Sequence, residues 1–253
     1  MESNNAVVMI CIDSDKSKYQ HSTWGLYAER SWKQYCKKYN LDFILIDNIN
    51  NPKINHPKWM KSQIWNYVSN NCDRILLVDS DTMPSWRCEN IFETFTHQGI
   101  YGVEDHNNLA WLNNSVKAYQ KFFPDINLQY KNYVNSGILL MDRKSGSSLC
   151  NLLFEFYLNN KKDLDQWDTP NTGIDQTPIN FILQKHQIKL LYMPHMYNQF
   201  GIFSLGLNQA NFQQGSQEPY FLKTGKIWHF TGMPVDQRES IMKQIWGVYS
   251  ERS

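Results

Sequence analysis

The sequence has few cysteines and no close cysteine pair. Its five cysteines are scattered along 253 residues without a CxxC motif, and their odd number disfavours a fully paired disulfide framework. We therefore expect a protein of a reducing, cytoplasmic compartment.

Long hydrophobic runs and a strong charge imbalance are also missing. The first apolar run, residues 6–12, is too short to span a bilayer and lacks a basic leader and a small-residue cleavage site, so it predicts a strand. The formal net charge of +1 excludes a broad attraction for nucleic acid or anionic membranes, so an anionic partner must be bound locally. Repeats and linkers are absent, and 42% hydrophobic residues can fill a sizeable core. We expect one soluble domain over residues 1–253. The sequence does not determine its oligomeric state.

Strands and helices alternate along the chain. Apolar runs predict strands over residues 6–12, 43–46, 75–78, 100–103, 138–141, 190–193 and 226–230. Helical spacing predicts helices over residues 24–39, 57–68, 147–158 with Ser147 as the cap, from 176 onward, and over 235–249. A polar stretch through 107–114 and a loop over 161–175 separate them. This order predicts an α/β fold with a Rossmann-like, mainly parallel central sheet flanked by helices.

Two carboxylates follow the strand predicted over residues 75–78. Asp79 and Asp81 stand where a turn begins, so both can face one divalent ion even though alternate strand residues point apart. Hard oxygen ligands with coordination positions left open suit Mg²⁺ or Mn²⁺ carrying a diphosphate. Ligands of open α/β sheets bind outside the carboxyl ends of the strands, where this pair would lie. The pattern predicts a metal-dependent enzyme acting on a nucleotide diphosphate.

Two further patterns would place polar groups beside these acids. Lys61 lies one helix earlier, where its ammonium could reach a diphosphate, although a lone helix lysine is more often solvated. Asn135 and Gly137 open the strand over 138–141, offering an amide for hydroxyls and a backbone that a ligand can approach. The alternative for this second pattern is an ordinary turn.

Two later patterns also have both a functional and a purely structural explanation. Asp175 and Gln176 begin a helix, where Asp175 could accept sugar hydroxyls or serve only as the helix cap. His229 follows an apolar strand, where its imidazole could complete a metal shell or be structural. The backbone amide of Gly232 could face phosphate.

Taken together, these motifs resemble the glycogenin-like, family 8-type retaining glycosyltransferases of the GT-A fold, over most of the chain. The motifs that carry the resemblance, in chain order, are Lys61, Asp79-Ser80-Asp81, Asp105, Asn135-Ser136-Gly137, Asp175-Gln176 and His229-Phe230-Thr231-Gly232.

The resemblance implies a role for each matching residue. Asp79, Asp81 and His229 would bind Mn²⁺ (or Mg²⁺), which grips the diphosphate of a UDP-sugar donor. The residues expected to hold the donor sugar are Lys61, Asp105, Asn135, Asp175 and Gln176, with Ser80, Ser136 and Gly137 beside them and Gly232 against phosphate. The nucleoside would lie at Cys11, Ile12 and Asp13, with Tyr19 stacking on uracil.

The chain departs from the family pattern at two places. The segment from Asp13 to Tyr19 is longer than the corresponding segment of the family, which leaves the tyrosine match and the base preference open. After Gly232 the family continues to a Lys-Pro-Trp that contacts phosphate, whereas this chain continues with Met233 and Pro234. Arg238 and Lys226 are the alternative cations.

The predicted activity is transfer of a hexose to a glycan or other hydroxyl acceptor in glycan biosynthesis. The metal would neutralise charge on the departing UDP, and the leaving phosphate would assist the acceptor hydroxyl on the same face, with Asp175 or Gln176 steadying the reacting centre. One alternative is a haloacid dehalogenase-type phosphatase with Asp79 as nucleophile, although Met83 departs from that motif. The other is a noncatalytic sugar-nucleotide-binding module.

Overall fold

The computed structural model of the chain describes residues 4–13, 21–106, 108–166, 173–201 and 219–252. The strands are β1 (Asn5–Ile10), β2 (Asp42–Ile46), β3 (Arg74–Asp79), β4 (Thr82–Pro84), β5 (Ile100–Glu104), β6 (Val134–Asp142), β7 (Leu190–Tyr192) and β8 (Ile227–His229). The α-helices are α1 (His21–Tyr39), α2 (Ile91–Thr94), α3 (Leu109–Gln120), α4 (Arg143–Leu164), α5 (Gln176–Lys185), α6 (Tyr220–Thr224) and α7 (Val235–Arg252). Pro57–Asn66, Tyr130–Asn132 and His195–Asn198 form 3-10 helices.

The central sheet of the described residues has the strand order β2-β1-β3-β6-β5-β7. β1 pairs in parallel with β2 and β3, and β5 with β7, whereas β6 runs antiparallel to both β3 and β5. The predicted α/β fold with a mainly parallel sheet is confirmed. Because β6 runs against its neighbours, its first residues lie at the edge where β3 and β5 end, and Asn135 pairs with Val103 there.

Both faces of this sheet are covered by apolar layers. In β1, Ala6 and Val8 join one buried cluster, while Val7 and Met9 join the other. Successive side chains of a strand point to opposite faces, so a strand buried on both sides needs an uninterrupted apolar run. This requirement explains why β1, β3 and β6 were visible in the sequence. No helix of the described residues is long and apolar enough to cross a membrane.

Three helical segments differ from their predictions. Pro57–Asn66 is a 3-10 helix whose consecutive residues Trp59 to Ile64 are all buried, so it has no amphipathic α-helical face. The stretch over 107–114 that was predicted to be polar contains the first half of α3, because Asn108 caps this helix through a hydrogen bond from the Trp111 amide. α4 begins at Arg143, four residues before the predicted cap Ser147, because Asp142 accepts a hydrogen bond from the Ser145 amide.

The last predicted strand lies outside the central sheet. β8 pairs antiparallel with β4, a short strand that the sequence did not predict, and together they form a separate two-stranded sheet. In this pairing Thr82 lies opposite His229. The small sheet therefore pairs the residues that follow Asp81 with residues near the end of the chain.

Candidate active site

The small sheet brings an imidazole to the acid pair. Asp79 ends β3, and Thr82 Oγ1 donates a hydrogen bond of 2.7 Å to the Asp79 carbonyl, which fixes the turn between β3 and β4. The Phe230 amide donates to the Asp81 carbonyl at 2.9 Å. As a result, ligand atoms of Asp79, Asp81 and His229 all lie within 4.8 Å of one another. The three residues predicted as metal ligands thus form one cluster.

The chemistry of this cluster suits a hard or borderline divalent cation. It offers two carboxylate groups and one imidazole nitrogen, with room in the coordination shell for further oxygen ligands. His229 Nε2 lies 3.3 Å from Asp81 Oδ1, while His229 Nδ1 is hydrogen-bonded to Asn198 Oδ1 at 2.9 Å. A second-shell partner on the far nitrogen is typical of metal-binding histidines. The residues present therefore fit Mn²⁺ or Mg²⁺.

A buried lysine joins the acid pair to the start of α5. Lys61 Nζ lies 2.8 Å from Asp79 Oδ1 and 2.7 Å from Asp175 Oδ2, and it donates to the Ser136 carbonyl at 2.9 Å. Burial opposes the charged form of Lys61, but Asp175 and Asp79 raise the pKa of its ammonium above the ordinary value. Lys61 is 5% exposed, so it is not the solvated helix lysine of the alternative explanation.

Asp175 takes part in this bridge and not in a helix cap. It occupies the N-cap position of α5, yet its side chain makes no capping hydrogen bond. Its Oδ2 instead accepts from Ser136 Oγ at 2.9 Å. Burial raises the pKa of Asp175, but the charge of Lys61 outweighs burial and lowers the pKa to about 2. A carboxylate therefore remains ionised in a buried position beside the acid pair.

A second hydrogen-bonded group surrounds Gln176. Gln176 Nε2 donates to Asp105 Oδ2 at 2.9 Å, and Gln176 Oε1 accepts from Asn135 Nδ2 at 3.1 Å and from the Ser136 amide at 3.2 Å. Asn135 Nδ2 also lies 3.2 Å from Asp105 Oδ2. Because β6 starts where β5 ends, the Asn-Ser-Gly motif lies against Asp105 and Gln176, as the sequence predicted for residues that share one site.

Gly137 and Gly232, the two glycines predicted at the site, are required for different structural reasons. A Cβ at Gly137 would overlap Cε1 of His229, so the missing side chain makes room for the imidazole as well as for any ligand. Gly232 has φ +76, a left-handed conformation that favours glycine, and a Cβ there would meet nothing within 4 Å. Gly137 is therefore needed for packing against the candidate metal ligand His229, and Gly232 for the turn after β8.

Of the two alternative cations, one reaches the acid pair. Arg238 Nη1 lies 3.3 Å from Asp81 Oδ2, and its guanidinium lies over the Trp24 ring, 4.7 Å from the centroid. Lys226 instead pairs with Glu89 at 2.6 Å at the opposite end of β8. Burial raises the pKa of Asp81, but Arg238 and His229 outweigh burial and hold it well below its ordinary value. The buried Arg238 Nε has no hydrogen-bond partner among the described residues.

The residues predicted at the nucleoside follow β1. Asp13 accepts hydrogen bonds from the Ser22 amide at 2.8 Å and from Ser22 Oγ, so it is tied to the first turn of α1. Ile12 is buried in a core cluster, and burial raises the pKa of the Cys11 thiol to about 12, which leaves no reactive thiolate. Tyr19 lies outside the described residues.

Sequence reasoning missed two side chains at this site. His21 Nδ1 lies 3.0 Å from Ser80 Oγ, and burial lowers the pKa of His21. Asn198 is fully buried and contacts His229. Neither belongs to a motif that pointed to chemistry, so the sequence carried no signal for them.

The mixed sheet, with its ligand cluster and lysine bridge at one edge, is a GT-A fold. The chain belongs to glycosyl transferase family 8, whose family model matches residues 9–234. This membership makes the protein a glycosyltransferase and shows that the phosphatase alternative is wrong. No curated protein sequence matches the chain significantly.

Solved structures share the fold at low sequence identity. A glycosyltransferase involved in the glycosylation of the major capsid of PBCV-1 is similar over 94% of this chain and 98% of its own, with a TM-score of 0.60 and 9% identity. The galactosyltransferase LgtC, solved with donor and acceptor sugar analogs, is similar over 96% of this chain and 95% of its own, with a TM-score of 0.51 and 12% identity. At these identities the likeness establishes the fold alone.

Proposed function

We propose that the protein transfers a hexose from a UDP-sugar to a hydroxyl acceptor with retention of configuration, using Mn²⁺ or Mg²⁺. The observation that carries this proposal is the Lys61 bridge, which joins the candidate metal ligand Asp79 to Asp175. A cation site and an ionised buried carboxylate thereby lie side by side, as transfer from a nucleotide diphosphate requires. A glycan is the acceptor class that fits this activity.

In the proposed site, Asp79, Asp81 and His229 hold the metal, which when bound offsets negative charge on the departing diphosphate. Arg238 supplies a second positive charge toward the diphosphate, in place of the lysine that the family pattern has after Gly232. The backbone of Gly232 lies against phosphate, and the end of β1 with Tyr19 receives the base.

Asp175 and Gln176 act at the reacting carbon. The bond from the anomeric carbon to the diphosphate oxygen breaks, a bond to the acceptor oxygen forms on the same face, and the acceptor proton passes to the departing phosphate. Positive charge develops at the anomeric carbon, and the Asp175 carboxylate, kept ionised by Lys61, opposes it. Gln176 is held by Asp105 and Asn135, so its amide is oriented before the donor sugar binds.

The test is a calorimetric titration with UDP in Mn²⁺, repeated in EDTA, on the unmodified protein and on Asp79→Asn. We expect UDP binding that EDTA and Asp79→Asn both abolish. Asp163→Asn is the matched control, because this acid lies in an exposed pair with Lys121. Equal UDP affinity in Asp79→Asn would contradict the metal role.

A panel of UDP-sugars with hydroxyl acceptors then separates an enzyme from a binding module. Transfer with an α-configured product from an α-configured donor supports the proposal. UDP-sugar binding without hydrolysis or transfer across the panel would identify a noncatalytic module instead.

A further inference from the structure

The buried side-chain amide of Asn198 connects the candidate metal ligand His229 to Asn135, one of the residues expected to hold the donor sugar. Asn198 ends the 3-10 helix His195–Asn198 and is 0% exposed. Its Oδ1 lies 2.9 Å from His229 Nδ1, and its Nδ2 donates to Asn135 Oδ1 at 3.0 Å. A buried asparagine whose two ends both meet side chains of one site has a defined orientation there.

The hydrogen-bond partners of Asn135 determine the orientation of the Asn198 amide. The Gly137 amide can only donate, and it donates to Asn135 Oδ1 at 2.9 Å. Asn135 Nδ2 therefore faces Asp105 Oδ2, which can only accept when ionised. With Asn135 Oδ1 facing inward, Asn198 must turn its Nδ2 toward Asn135 and its Oδ1 toward His229.

The same reasoning sets the tautomer of His229. An amide oxygen can only accept, so His229 Nδ1 carries the proton that meets Asn198 Oδ1. In the neutral ring the lone pair is then on Nε2, which faces Asp81 Oδ1 at 3.3 Å. Without Asn198, the Asp81 carboxylate would favour the proton on Nε2, and a protonated nitrogen cannot bind a metal.

We propose that Asn198 is a positioning residue that holds His229 in the tautomer able to bind the metal and that links this choice, through Asn135, to Asp105 and Gln176. The proposal rests on the proposed function for the presence of the metal, while the chain of hydrogen bonds belongs to the protein alone. It follows that one amide serves both parts of the site, with its Oδ1 toward the candidate metal ligand and its Nδ2 toward Asn135.

Two variants separate the two ends of the amide. Asn198→Ala removes both hydrogen bonds. Asn198→Asp keeps an acceptor for His229 Nδ1 but replaces the donor to Asn135 with an oxygen. Asn90→Ala is the matched control, because Asn90 is also a buried, hydrogen-bonded asparagine but caps α2 outside the site.

The first measurement is calorimetric titration with Mn²⁺ alone. We expect Asn198→Ala to lower the Mn²⁺ affinity by about tenfold to hundredfold, the usual effect of losing an outer-shell partner. Asn198→Asp should keep Mn²⁺ affinity near that of the unmodified protein but raise the KM for the UDP-sugar. Asn90→Ala should bind Mn²⁺ normally even if it is less stable.

The second measurement is nitrogen-15 NMR of the imidazole in the metal-free protein, at a pH where the ring is neutral. The unmodified protein should show the proton on Nδ1, and Asn198→Ala should shift it toward Nε2. Unchanged Mn²⁺ affinity and tautomer in Asn198→Ala would overturn the proposal while leaving the metal site intact. An unmodified protein that does not bind Mn²⁺ would overturn the proposed function itself, together with this positioning role.

Discussion

Lys61 and Asp175 form an ion pair with an Nζ to Oδ2 distance of 2.7 Å, and both side chains are under 10% exposed. Removing one partner of such a buried pair strongly lowers the stability of the fold, because the other charge is left buried without a partner. Removing Lys61 would also deprive Asp79 of its partner, although the Asp79 side chain is partly exposed. The pair is thus a structural element of the fold as well as a part of the proposed site.

Lys61→Met should therefore destabilise the metal-free protein by about 3–5 kcal/mol. The measurement is urea unfolding in EDTA. Lys121→Gln is the control, because the Lys121–Asp163 pair has both side chains about half exposed. This control should change stability by less than about 1 kcal/mol. A similar small loss in both variants would contradict the importance of the buried bridge.

Acid should weaken the fold through Asp175. Its pKa is lowered from 3.8 to about 2, so the ionised carboxylate stabilises the folded state above pH 3.8, and this contribution disappears as the pH falls to 2. The contribution is on the order of 2 kcal/mol. The raised pKa of Lys61 stabilises the fold up to its unfolded value of 10.5, so the pair adds no slope between about pH 5 and 9.

Urea unfolding from pH 6 down to pH 2 in EDTA checks this window. Asp175→Asn should flatten the acid slope and lower stability at neutral pH. An equally steep acid slope in Asp175→Asn would assign the acid sensitivity to other carboxylates.

Gly137→Ala should damage the metal site and spare the rest of the fold. The added methyl group would overlap His229 Cε1 and push the imidazole away from Asp81. We expect the Mn²⁺ affinity to fall by about tenfold or more. Gly247→Ala is the matched control, because a Cβ there meets nothing within 4 Å and lies in α7, where alanine should stabilise the helix by about 0.5–1 kcal/mol.

Arg238→Gln should shift two affinities in opposite directions. Removing a positive charge beside Asp81 should strengthen binding of Mn²⁺ alone several-fold. Binding of UDP in Mn²⁺ should become weaker, because the diphosphate loses a cation. Lys226→Gln, which breaks a pair with Glu89 away from the site, should change neither affinity. Parallel changes in both affinities would refute a direct role toward the diphosphate.

The sequence predicted those parts of the molecule that are determined by short, local sequence patterns. The run Ile75 to Val78 is continuous because both faces of β3 are buried, and the acids follow it directly, so strand and motif were visible together. α3 was missed because Asn113 and Asn114 obscured the buried positions Leu112, Ser115, Val116 and Tyr119, which have helical spacing.

The contacts that sequence reasoning could not predict depend on long-range packing, both for Asn198, which it missed, and for Arg238, which it named only as an alternative cation. Asn198 meets His229 only because the 3-10 helix before it lies against β8, where the Gln199 amide donates to the Ile227 carbonyl at 2.8 Å. Arg238 reaches Asp81 because α7 packs against α1 and places the guanidinium over Trp24. No local spacing encodes either approach, so only the folded chain reveals them.

The pairing of β4 with β8 has a consequence for biosynthesis. All strands of the central sheet precede β8 in the chain, so a ribosome delivers them before it delivers His229. A nascent chain therefore contains all strands of the central sheet, with Asp79 and Asp81, while the third candidate ligand is still unsynthesised. The complete candidate ligand set thus arises late in translation, and a chain interrupted before β8 would lack the imidazole as well as Ile227 and Trp228, which pack in the core on one face of the sheet.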